Sequence, residues 1–491
     1  MKVNLAGYNL DSTVIEELKK SSPGRADVTP ETLSASYARI SRDPRSIDEL
    51  RAVARQEVEK ARKSNQAIIF KMGHHSVAEH AVFNFDVIGV SRFAMEAIEH
   101  FRLCSYTEKS QRYITLGDDY VMPDEIKSSI YAKEFRAMIK VQNDFYLRAY
   151  EKLKAHVFRK HVDLAKDEKN FNLLDGWAKE DARYVTSLAT QGQLGLTVNA
   201  RNLELMVRRF ASSPYSEVRR IGQEIFRLAK EVAPSIILFT AANDYDSRTY
   251  EDIKAIKAIK AAKAIKGGKA VRLEEFTKGA DEVLIAALIH TTSNLSFADA
   301  KKKASTMTLA NKKSMIKTAC KHMEFYDANL REFEYPNLIY DVVMSASCFA
   351  QMKRHRTATL TAQDYDPSLG VTIPQAIRDV KLDKEFTEIL CRTEDLYYEM
   401  EPKLGAHAQY ILTNAHRRRV LLGVNARELY HISRLREDEH AQWDIREVSA
   451  EMSKLAKKVM PLTMMLIGGK DKYPDIYKKV YGAPPKLLPP K

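Results

Sequence analysis

Two short runs carry the residues best suited to grip an anion or a polar ring. They are Arg354-His355-Arg356-Thr357-Ala358-Thr359 and, 254 positions earlier, His100-Phe101-Arg102-Leu103-Cys104-Ser105. Arginine offers a planar fork of donors to phosphate or carbonyl oxygens, and hydroxyls add single bonds. The earlier run leads into Ser105-Tyr106-Thr107-Glu108-Lys109-Ser110-Gln111-Arg112-Tyr113, whose hydroxyls, carboxylate and arginine suit a phosphate and a planar ring. Taken alone, a solvated loop has the same composition. Upstream of it lies Gly73-His74-His75-Ser76-Val77-Ala78-Glu79-His80. The spacing His75-x3-Glu79-His80 fits neither HExxH nor HxxEH, so no metal site is expected. Ligand-binding polar groups at the entry to a strand are the better reading, and structural histidines the plainer one.

The elements that must position these runs repeat. Ala81-Val82-Phe83-Asn84-Phe85-Asp86-Val87 alternates like a half-buried strand, Ser91 is a plausible N-cap, and Ala94, Ala97, Ile98 and Phe101 share a helical face. Leu338–Ser345 is the second such strand, followed by a helix with Cys348, Phe349 and Met352 inward. Val424-Asn425-Ala426-Arg427-Glu428-Leu429 matches Val198-Asn199-Ala200-Arg201-Asn202-Leu203, 226 positions earlier. Leu435-Arg436 and Ala441-Gln442-Trp443-Asp444-Ile445-Arg446 complete the later copy. Helical spacing is expected from Thr32 to Ser64, over 125–165, over Ser216–Glu231 and over 384–404. The reading is two related domains, 1–245 and 281–491, joined by a Lys/Ala/Ile-rich linker at 246–280. In that linker a lysine falls at every third position from 254 to 266, but no aromatic is interleaved for base stacking. A basic spacer helix is therefore expected there, and nucleic acid is not the expected partner.

Composition agrees with two soluble domains. The chain has 491 residues, 45% hydrophobic and 29% charged, more than one core usually supports. Its net charge of +13 favours phosphate-bearing partners without naming them. No apolar run is long enough to cross a bilayer, and Met1-Lys2-Val3-Asn4-Leu5 lacks the core of a signal peptide, so a cytoplasmic protein is expected. The four cysteines are far apart, against a disulfide framework and in keeping with a reducing compartment.

The succession GHxSxxEH, strand, SR, helix, then a version of RHRxxSxNExSxRY, with the later NAR, LR and AQWDIR segments, resembles flavin-dependent thymidylate synthases, and it does so in both halves. The resemblance implies a mixed α/β (α+β) fold, here as two tandem domains forming a pseudo-dimer. It implies methylation of dUMP to dTMP with methylenetetrahydrofolate as carbon donor, FAD as hydride carrier and NADPH as its reductant, without a cysteine nucleophile. Family members are tetramers with sites shared between subunits, so a homodimer of this chain, a pseudo-tetramer, is implied. No membrane is involved.

Carried onto this sequence, the family's residues are divided between the copies. The first keeps His74, Ser76 and Glu79 of the flavin-contacting segment, Ser105, Glu108, Ser110, Arg112 and Tyr113 of the nucleotide loop, and the nucleotide-contacting Arg183. It has His100 and Phe101 in place of the first two members of RHR, Ala97 for the usual glutamine, and Phe210 for the uracil-orienting arginine, with Arg209 one position off. The second keeps Gln351, Arg354, His355 and Arg356, then Asn425, Arg427 and His431 for flavin and Arg436 for the uracil. Its nucleotide loop has Ala362, Asp364 and Asp366 where Glu, Ser and Arg are expected, and an aspartate repels a phosphate. A composite site follows as the expectation, Arg354, Arg356 and Arg427 holding flavin, Ser110 and Arg112 the dUMP phosphate, and Arg436 the pyrimidine carbonyls. A flavoprotein acting on another pyrimidine nucleotide and a non-catalytic nucleotide- or nucleic-acid-binding module are the alternatives.

Overall fold

Alternation decides the central strands. In β1 (Lys2–Tyr8), β2 (Val82–Ser91), β3 (Cys104–Glu108) and β4 (Gln191–Asn199), the apolar positions of the middle pair face one core: Phe83, Phe85 and Val87 of β2 and Leu194, Leu196 and Val198 of β4 are buried. The second set, β5 (Val271–Phe276), β6 (Asn337–Ser345), β7 (Thr359–Tyr365) and β8 (Arg417–Asn425), repeats the pattern with Leu338, Tyr340, Val342 and Met344 inward. The sheets are antiparallel, with orders β1-β2-β4-β3 and β5-β6-β8-β7. The computed structural model describes residues 1–20, 29–39, 43–71, 73–111, 119–256, 270–324 and 327–485. Arg112 and the lysine stripe from 257 onward lie outside the described residues; before it, Asp244–Ala255 is a helix.

The two sheets use the same register. Val82 lies opposite Asn199 and Asn337 opposite Asn425. β2 carries one more residue, a bulge between Ile88 and Val90 with Gly89 at φ +67°. The extra residue is why Glu79 and Glu334 stand 255 apart while Ser91 and Ser345 stand 254 apart. That φ is the left-handed region where glycine alone is unstrained.

The chain forms two compact units, each assembled from three segments. Unit 1 comprises Met1–Tyr146, Thr186–Ala264 and Cys391–Ile411, and unit 2 comprises Leu147–Val185, Ile265–Leu390 and Leu412–Lys491. These differ from the contiguous domains 1–245 and 281–491 read from sequence. Two of the five divisions fall inside the helices Ala132–Lys160 and Asp383–Leu404. An amphipathic helix has the same period whichever core it covers, so periodicity does not report the exchange.

Each unit ties in its distant segment through a buried carboxylate. In unit 1, Glu217 accepts from the backbone N (2.7 Å) and Oγ (2.6 Å) of Ser91 and from the hydroxyl of Tyr410 (2.9 Å). In unit 2, Asp444 accepts from Ser345 Oγ (2.5 Å) and from the hydroxyl of Tyr184 (2.9 Å). Both carboxylates sit in the first turn of a 17-residue helix, where the macrodipole favours negative charge. Both serines are N-caps, accepting from Ala94 N and Cys348 N. Burial nonetheless pushes both carboxyls above the usual carboxylate range, with the hydroxyl donors opposing it.

A chain ending at Ile256 retains all four strands of unit 1 but lacks Cys391–Ile411. It loses the Tyr410 partner of Glu217 and the Thr393 and Ile411 partners of Gln142 (3.0 and 3.1 Å). Leaving buried polar groups unpaired costs roughly 1–3 kcal/mol each. Urea titration of this fragment, followed by near-ultraviolet dichroism, is expected to show no cooperative transition. A sharp native-like transition would show that the segment is dispensable.

Candidate active site

In unit 2 the basic run of the second copy meets two helices. β6 ends at Ser345, which caps the helix Ala346–Met352; that helix delivers Gln351 and then Arg354-His355-Arg356. β8 ends at Asn425, whose side chain caps the helix Ala426–Arg436 by accepting from Glu428 N at 2.8 Å. Arg436 closes that helix. Its Nε donates to His355 Nε2 at 2.9 Å and its Nη2 to the Gln351 carbonyl at 3.2 Å. A guanidinium only donates, so Nε2 of His355 carries a lone pair and the ring proton sits on Nδ1. Nδ1 faces Glu428 Oε1 at 3.4 Å, a charge contact rather than a formed hydrogen bond, and among the described residues neither buried atom has a hydrogen-bond partner. Glu428 accepts from Thr357 Oγ1, and the His431 ring stands edge-on to His355 at 5.6 Å.

The charges in this chain are ordered by burial. His355 is 5% exposed, and desolvation, aided by Arg436 and opposed by Glu428, lowers its pKa to about 4. It is a neutral ring at physiological pH. Burial works to raise the Glu428 carboxyl, but the neighbouring His355, the Thr357 hydroxyl and His431 outweigh this and hold it below the ordinary glutamate value. The sequence Glu428, His355, Arg436 therefore runs from anion through neutral imidazole to cation.

A second chain of contacts reaches the same place. Gln351 Nε2 approaches Gln442 Oε1 at 3.4 Å, and Gln442 Nε2 meets the Tyr184 hydroxyl at 2.6 Å, beside Asp444. Tyr184 stacks on Trp443 with centroids 5.7 Å apart. Its neighbour Arg183 donates to Ser347 Oγ at 2.8 Å. A residue of the first sequence copy thus lies in the same unit as the second copy's Gln351, His355 and Arg436. Tyr184, Gln442, Asp444 and Glu428 had no assigned role in the sequence reading. Gln442 and Asp444 stand inside the Ala441–Arg446 run, which is the signal that was available; Glu428 looks like any first-turn helix glutamate.

The remaining expected residues divide into exposed groups and structural ones. Arg354, Arg356 and His431 are exposed. Asn425 is occupied as the helix cap, and Arg427 donates to Asn329 O at 2.7 Å and pairs with Glu334 at 2.8 Å. The first copy has the same pair in Arg201 and Glu79, within unit 1. There His74 and Ser76 are exposed, His75 packs on Phe70 and His80 on Tyr37. Glu108 faces the buried Arg92 at 3.5 Å, and Ser110 follows β3. Where unit 2 has His355 and Arg436, unit 1 has Phe101 and Phe210, edge to face at 5.8 Å, with Arg209 over Phe101 at 6.0 Å.

The thymidylate synthase complementing protein family matches at residues 26–235 and again at 272–462. A flavin-dependent thymidylate synthase of Geobacter sulfurreducens is 33% identical over 213 residues, 42% of this chain and 80% of its own length. That of Clostridium tetani is 28% identical over 215 residues, 43% of this chain and 82% of its own. A UPF0159 protein of Thermoplasma acidophilum is 23% identical over 488 residues, covering 87% of this chain and 92% of its own length. The first two relatives each span about one copy, and the third spans both.

The neutral state of His355 has a consequence for stability. Because its folded pKa of about 4 lies below the ordinary 6.5, the unfolded chain binds the proton more readily. Its contribution is complete above pH 6.5 and is lost as pH falls toward 4, by at most about 3 kcal/mol. The stability difference between wild type and His355→Gln, from urea unfolding, is expected to shrink in favour of the variant between pH 7.5 and 4.5. A difference independent of pH would show that His355 is not held neutral.

Proposed function

Because the chain belongs to the thymidylate synthase complementing protein family, in two successive copies, we propose that it is a flavin-dependent thymidylate synthase converting dUMP to dTMP at a composite site centred on unit 2. The observation that carries this reading is the convergence of Arg436, His355 and Gln351 of the second copy with Arg183 of the first. In this reading Arg436 donates to the pyrimidine carbonyls and stabilises negative charge that develops on the ring when C5 is alkylated. Its other donors are fixed on His355 and Gln351, so little reorganisation is needed as that charge appears. Gln351 orients the base, and Arg183 contributes a donor to the nucleotide. Ser110 and Arg112 are given the phosphate, as the sequence motif implies.

FAD, when bound, supplies the hydride chemistry, with NADPH as reductant and methylenetetrahydrofolate as carbon donor. The exposed Arg354, Arg356 and His431 suit the anionic and ring portions of such a cofactor, and His74 and Ser76 are exposed donors of the matching segment in unit 1. Arg427 and Glu79 are engaged with Glu334 and Arg201, so their part is to brace the strand-to-helix junction beside the cofactor. A mechanism without a cysteine nucleophile accords with Cys348, the cysteine nearest the cluster in sequence: it is fully buried, and burial pushes its thiol well above the ordinary range. A homodimer of the tandem chain would supply four copies of the fold.

Tritium release from [5-³H]dUMP, with methylenetetrahydrofolate, NADPH and flavin present, tests the activity. Wild type is expected to turn over, and Arg436→Ala to lose at least roughly 100-fold in kcat, the scale of removing one preorganised donor. Arg112→Ala and Arg183→Ala are expected to raise the KM for dUMP. Absence of tritium release from a flavin-loaded, nucleotide-binding wild type would point instead to another pyrimidine nucleotide as substrate.

A further inference from the structure

The two copies form an internal experiment on which residues work together. Three positions have changed in concert. His355 corresponds to Phe101, Arg436 to Phe210 and Glu428 to Asn202, by the same sheet registers that match Ser345 to Ser91 and Asn425 to Asn199. In unit 1 the two phenylalanines pack on each other, and the packing is close: a Cβ on Gly222 would lie 2.7 Å from Phe210 Cβ. Asn202 turns to its own helix cap, donating to Asn199 Oδ1 at 2.8 Å. An apolar pair needs no carboxylate behind it, and the position that matches Glu428 carries the amide Asn202.

In unit 2 the carboxylate stands directly behind the imidazole. Glu428 touches the ring edge opposite Arg436, is 7% exposed, and is fixed by Thr357 and by its place in the first turn of an 11-residue helix. The groups around His355 are Glu428, His431 and Arg436 from that helix, with Gln351 on the helix before it. A buried anion facing Nδ1–H at 3.4 Å raises the basicity of Nε2, which strengthens its acceptance from Arg436 and fixes the guanidinium plane. We propose that Glu428 is a positioning residue for the reaction, acting through His355 to hold Arg436 at the pyrimidine. This rests on the role given above to Arg436. Loss of all three members together in unit 1 is what a single functional relay would leave behind once its arginine was no longer used.

The test has two readouts. In full-length, ¹⁵N-histidine-labelled protein, His355 assigned by comparison with His355→Gln is expected as the Nδ1–H tautomer and uncharged at pH 7. An Nε2–H tautomer or a charged ring overturns the relay, whether or not the chain makes dTMP and without any change to Glu428. In kinetics, Glu428→Gln is expected to lower kcat about 10- to 100-fold, by analogy with carboxylate partners of metal-bound histidines. In a His355→Gln background the same change is expected to cost less than about threefold, since coupled residues are non-additive. Equal losses in both backgrounds overturn the proposal. A wild type that releases no tritium would defeat the thymidylate synthase reading alone and leave the tautomer to decide this one.

Discussion

A buried carboxylate organises each unit. Asp444 and Glu217 are placed at a helix start and are satisfied by a serine that caps a second helix and a tyrosine brought from another part of the chain. A buried, incompletely paired charge is far costlier than a paired one, so each carboxylate requires all its partners at once. The requirement fixes three things together: the end of a central strand, the start of the helix that follows it, and the docking of the distant segment. In unit 2 it reaches further, because Tyr184 also meets Gln442, and Gln442 meets Gln351. The residues that would orient a pyrimidine are thus braced from the core of the unit.

The copies keep one scaffold around two different sets of side chains. Strand registers, serine and asparagine caps, the arginine–glutamate pairs Arg201–Glu79 and Arg427–Glu334, and the buried carboxylates occur in both units. These are the parts that folding needs. Between Phe101/Phe210 and His355/Arg436 the two units differ in chemistry while keeping the same backbone. Unit 1 has apolar packing there, which is worth more to stability than a half-buried hydrogen bond.

Much of this was legible in the sequence, for physical reasons. Strands with alternating burial, such as Phe83-x-Phe85-x-Val87, and caps such as Ser91 and Asn199 announce themselves through local pattern. The repeat was visible because both copies keep those patterns at constant offsets. What local pattern does not carry is partner identity. Nothing in Asp383–Leu404 states that its last turns belong to unit 1, and nothing in Arg427 or Asn425 separates a ligand contact from an ion pair or a cap. Glu428 and Asp444 carry no local mark of burial, because a helix's first turn favours acids wherever it lies. Their burial depends on residues roughly 70 to 260 positions away in the chain.

The three-segment composition of unit 1 also bears on how the protein is born. Its last component, Cys391–Ile411, is synthesised only after residues 265–390 of unit 2 have been made. At ribosomal speeds of about 5–20 residues per second, the nascent N-terminal half waits on the order of ten seconds with the Glu217 pocket lacking its tyrosine. Folding that proceeds strictly from the N-terminus cannot finish the first unit before most of the second has emerged. Such a chain has reason to be held by chaperones while it is still attached to the ribosome, and rare codons between the two halves would lengthen its exposure rather than help it mature.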